Sequence, residues 1–138
     1  MGIELFERTV SGGGQLLRVD VSPLGGGAGR VAALMLTFDL GRITVTAEPA
    51  TGALLIDYVD SPEHTPGGLQ DASEEEPWWR LLGTLLARAW PAGDDPHGAV
   101  CIQFRADGQS ARTVILEPRG PGVSIKLENS QLQNEGQK

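Results

Sequence analysis

Apolar and polar positions alternate through the first half of the chain in separate short runs. Over residues 15–22, Leu17, Val19 and Val21 share one face while Arg18 and Asp20 take the other, the two-residue period of a half-buried strand. Residues 31–39 are apolar on both faces, Leu34, Leu36 and Phe38 against Val31, Ala33 and Met35, which suits a central strand covered on both sides. Residues 42–47 set Ile43, Val45 and Ala47 against Thr44 and Thr46, and 53–59 is a further apolar run. The joints 39–41 and 49–52 are short and contain glycine, so these segments predict an antiparallel meander. A second meander is predicted by Val100, Ile102 and Phe104, then Val114 and Leu116, then Val123, Ile125 and Leu127, with turns at Asp107-Gly108 and 119–122. Residues 3–10 fit either a strand or a short helix and are read as a strand.

Between the meanders the period changes. Trp78, Leu81, Leu82, Leu85 and Ala89 recur at helical spacing, with Arg80, Thr84 and Arg88 on the wet side, and predict the main helix over about residues 74–90. Ser73 and Glu76 have the form of a capping box, Pro77 suits a first turn, and Pro91 ends the run. Strands, then a helix, then strands predict an α+β fold: an antiparallel β-sheet of about six to eight strands in two meanders, with that helix packed on one face. The expected organisation is one domain over residues 1–128 and a polar tail over 129–138.

Charge changes this picture in one place. The chain holds 18 Asp and Glu against 11 Lys and Arg, a net charge of −7. Seven of the acids (Asp57, Asp60, Glu63, Asp71, Glu74, Glu75 and Glu76) lie between residues 57 and 76, with no lysine or arginine among them, so the rest of the chain is balanced. Such a bias argues against phosphate backbones and for a basic protein partner. The glutamates at 74–76 favour the positive end of the predicted helix, which leaves Asp57, Asp60, Glu63 and Asp71 as the acids available to a partner. One cysteine, Cys101, excludes an intrachain disulfide. With no apolar run near membrane-spanning length and no basic-then-apolar leader, the expected location is the cytoplasm.

The remaining chemistry is sparse. The glycine runs at 12–14 and 25–29 precede strands and not helices, so they read as loops and not as phosphate cradles. Asp94, Asp95 and His97, with His64 or the acids 57–63, have no recognised metal-ligand spacing and read as a solvated turn. Cys101 stands on the strand face opposite Val100 and Ile102, too far along an extended chain from His97 for a thiol–imidazole pair. Trp78 belongs to the apolar stripe and reads as core. Trp79 and Trp90 fall with Leu86 on a second line of the helix, which either widens its buried face or meets a partner.

Over residues 78–127 the chain resembles small bacterial domains of unknown function. The pattern is a tryptophan-led helix from Trp78 through Gly83 to Trp90, then Gly98 and Val100–Phe104, and a last strand Gly122–Leu127. The resemblance implies an immunity-type or accessory protein and carries no catalytic residues. The expectation is a non-enzymatic interaction module, with no cofactor or metal, that presents Asp57, Asp60, Glu63, Asp71, Trp79 and Trp90 to a basic protein. A small-molecule or divalent-metal site between helix and sheet is the alternative, and exposed strand edges admit a homodimer.

Overall fold

The computed structural model describes residues 3–23, 30–48, 51–59, 68–74, 78–93, 98–105, 112–119 and 122–128. Among the described residues the α-helix is α1 (Ile3–Ser11), in the segment expected to be a strand. Ile3, Phe6 and Val10 meet the core at helical spacing, and Phe6 is fully buried. The glycines that follow form its C-terminal cap. Gly14 N–H donates to Thr9 O at 2.9 Å and Gly13 N–H to Val10 O at 3.1 Å, with Gly13 at φ 72°. That is the Schellman arrangement, which glycine enters without a Cβ penalty.

Nine strands follow among the described residues: β1 (Leu16–Pro23), β2 (Arg30–Phe38), β3 (Gly41–Ala47), β4 (Leu54–Val59), β5 (Gln70–Asp71), β6 (Leu85–Pro91), β7 (Val100–Arg105), β8 (Arg112–Arg119) and β9 (Gly122–Glu128). All their pairings are antiparallel. The protein is therefore of the α+β class, with one α-helix among the described residues packed on an antiparallel sheet. Both predicted meanders are present, as β1–β4 and as β7–β9.

The helix predicted over about residues 74–90 is not there. Residues 78–80 form a 3₁₀ turn, Leu82 N–H closes a single helical turn onto Trp78 O at 3.1 Å, and Gly83 at φ 83° ends it. From Leu85 the chain is strand β6, paired to β7 from Leu85↔Arg105 to Pro91↔Val100. Leucine, alanine and arginine favour a helix there, but pairing to β7, and of Leu85 and Leu86 to residues 14–15, overrides so small a preference. Burial shows the true period: Leu86, placed on the helix's second line, is buried, whereas Leu85 of the predicted stripe is exposed.

Residues 70–73 and 83–86 run along the outer edge of β1. Asp71 pairs Asp20, and Ala72 N–H donates to Val19 O at 2.8 Å. Further on, Gly83 N–H donates to Leu16 O at 2.8 Å, Leu16 N–H to Thr84 O at 3.0 Å and Leu86 N–H to Gly14 O at 2.9 Å. With the Gln15↔Leu85 bridge, pairing passes through β1, β2, β9, β8, β7 and β6 and returns to β1. The sheet curls on itself around a core that includes Leu16, Leu34, Trp78, Leu86, Ile102, Phe104 and Leu116, and α1 packs mainly against β6. β4 stays outside this circuit, paired only to β3 among the described residues.

Candidate functional site

Asp57 and Asp71, the members of the expected acidic patch among the described residues, lie at two separate places. Register sets Asp71, Asp20, Met35, Thr44 and Asp57 side by side across β5, β1, β2, β3 and β4, on one face of the sheet. Asp71 and Asp57 end this row, about 19 Å apart at ordinary interstrand spacing. Both are exposed, while Asp20, Met35 and Thr44 between them are buried. The structure thus splits the expected patch into two rims. Asp60, Glu63, Glu75 and Glu76 lie outside the described residues, as do His64, Asp94, Asp95, His97 and the expected tail at 129–138.

At the Asp71 rim the carboxylate is already engaged. Ser73 N–H donates to Asp71 Oδ1 at 2.8 Å, and Arg18 stands 3.9 Å away. Ser73 in turn anchors to β1, its Oγ accepting from Val19 N–H at 3.0 Å. Thus Ser73, assigned to a helix cap, ties the chain to the β1 edge. The Ser73 hydrogen bonds, aided by the Arg18 charge, hold the Asp71 carboxyl below its ordinary value. A depressed folded pKa contributes stability above the unfolded value, and this is lost as pH falls through the folded one. The stability difference between the native chain and Asp71→Asn is therefore expected to be constant above pH 3.8, the ordinary value, and to shrink below it. Denaturant titrations across that range measure it.

Sequence reasoning missed Asp20 as a member of this group. It is 4% exposed and receives Arg18 through both Nε (2.9 Å to Oδ2) and Nη2 (2.8 Å to Oδ1). Two charges of opposite sign, two residues apart on one strand face, were the available signal.

Trp79 and Trp90 do not share an edge. Trp79 lies in the 3₁₀ turn and is 49% exposed, whereas neighbouring Trp78 is 2% exposed in the core, as its spacing predicted. Trp90 is half-buried on β6, opposite Cys101, with the Arg88 guanidinium carbon 4.6 Å above its ring. Cys101 is buried on the outer face, opposite the side that carries Val100 and Ile102.

The Asp57 rim is different. Here β4 exposes Leu55 and Asp57 on one face and Tyr58 on the other. The Tyr58 ring lies over Gly41, which has φ 150° and no room for a Cβ beneath the phenol. Its hydroxyl donates to Leu40 O at 3.3 Å. Between α1 and this end of β4 is a cleft of about 260 Å³ lined by Leu5, Arg8, Thr9, Leu40 and Tyr58. Among the described residues, no three His, Cys, Asp or Glu side chains converge as a metal site requires, and no helix is long and apolar enough to cross a membrane.

No protein-family model, curated protein or solved structure matches the chain. The tryptophan-led helix that carried the resemblance over residues 78–127 is a turn and a strand, so that resemblance contributes nothing to the functional reading.

Proposed function

We propose that the protein is a non-enzymatic interaction module that binds a basic protein through the acidic segment that begins on β4. What supports this most is the position of Asp57: it is exposed on an edge strand at the head of the segment that holds the chain's entire net charge. Asp71 is held by Ser73 and Arg18, so the recognition charges are Asp57, Asp60 and Glu63, with Trp79 a second, separate contact. Complementary charge at such a rim speeds association and selects the partner more than it adds affinity. Replacing Asp57 and Asp60 with Asn and Glu63 with Gln together is expected to weaken binding of a lysine-rich peptide about tenfold at low salt and to flatten its salt dependence. Calorimetry at two ionic strengths tests this; equal affinity and equal salt dependence in the variant overturn it.

The second reading, a small-molecule site between helix and sheet, has the α1–β4 cleft in its favour. At about 260 Å³ this cleft falls just short of the usual range for ligand pockets, and it stands beside the charged rim. We assign it to the same protein contact.

A further inference from the structure

We propose that the β4 edge takes up an extended segment of the partner as an added antiparallel or parallel strand, and that this segment alternates basic with apolar side chains. The proposal rests on the reading above and specifies how the partner docks. Glu48 N–H donates to Ala53 O at 2.8 Å, which makes 48/53 a hydrogen-bonded pair. Antiparallel pairs alternate, so Leu55, Asp57 and Val59 turn their amides and carbonyls toward β3. Leu54, Ile56 and Tyr58 turn theirs outward, where they have no hydrogen-bond partner among the described residues.

Edges are ordinarily protected by proline, lysine, a bulge or a covering element. β4 has neither proline nor lysine, and its register with β3 runs unbroken over six pairs. The outer edge of β1, by contrast, is covered by residues 70–73 and 83–86.

Charge decides the occupant. A second copy paired across a two-fold axis at Asp57 sets the two Asp57 carboxylates against each other, and a shift of one residue sets Asp57 against Leu55. A basic strand places a lysine or arginine beside Asp57. On the opposite face, its alternate side chains meet Tyr58 and the cleft of Leu5, Leu40 and Arg8, where Arg8 disfavours a cation and the walls favour an apolar group. The partner's pattern is therefore basic and apolar with a period of two.

Three peptides test it against the intact chain: one alternating lysine with valine or threonine, one of the same composition with the lysines in a block, and the alternating one with N-methyl groups on every second residue. The alternating peptide is expected to bind best: N-methylation weakens it about thirtyfold through the lost backbone hydrogen bonds, and gathering the lysines in a block weakens it by breaking the alternation that sets a cation beside Asp57. Binding is expected to slow hydrogen exchange at the Leu54, Ile56 and Tyr58 amides. Equal binding by all three overturns strand addition and leaves the acidic reading standing. Binding by none overturns both, and a dimer of the free protein that protects these same amides overturns the choice of a basic partner.

Discussion

Replacing Trp78 with alanine is expected to cost about 3–5 kcal/mol of stability, the usual range for emptying a buried tryptophan site. The same change at Trp79 is expected to cost less than about 1 kcal/mol, because half of that side chain is already in water. The residues are adjacent, so composition and local propensity hardly differ between the variants. What separates them is the 3₁₀ turn, which drives Trp78 into the core beside Leu81 and turns Trp79 out. Urea denaturation of both variants gives the comparison.

Phe6→Ala is expected to have an effect of the same size, about 3–5 kcal/mol. Phe6 is fully buried and, with Ile3 and Val10, seats α1 against β6 and the core. Were residues 3–10 the strand that their pattern first suggests, Ile3 and Leu5 would share the buried face and Phe6 would point away. A Leu5→Ala variant distinguishes the two: Leu5 is half-buried at the α1–β4 cleft, and its loss is expected to cost clearly less than that of Phe6. Displacing α1 would also open the cleft, so weaker peptide binding by the Phe6 variant is expected to accompany its instability.

The strands were legible where one rule sufficed. Alternation placed β2, β3 and β4 to within a residue or two, because each has a continuous apolar face and a short glycine-bearing joint. Apolar positions on both faces of residues 31–39 marked β2 as central, and Ala33 to Leu36 are all buried. The run from Trp78 to Ala89 has helical spacing, but Gly83 lies inside it. An internal glycine costs a helix about 1 kcal/mol, and here it takes a left-handed conformation that ends the first turn. At the other end of the chain, Gly12, Gly13 and Gly14 read as a loop, although a glycine run just after Phe6 and Val10 is also what closes a short helix.

The site was legible in charge but not in space. That the net charge collects between residues 57 and 76 is a property of the sequence. That Asp57 and Asp71 stand on opposite rims of one face depends on β1, β2 and β3 coming between them, which only long-range pairing decides. Nor does any local pattern show that residues 70–73 and 83–86 pair along the β1 edge while β4 has no such cover among the described residues. This difference between the two edges is what moves the interaction surface from a presumed helix flank to β4.

Among the described residues, β4 is the free edge only because residues 70–73 and 83–86 pair along β1, with β6 a strand. A through-space proton NMR experiment on the labelled protein tests it most directly. Contacts between the Gln15 and Leu85 backbones, and between Ala89 and Ile102, are the result expected. Sequential helical contacts three residues apart, running unbroken from Trp78 to Trp90 and without those cross-strand pairs, would contradict it.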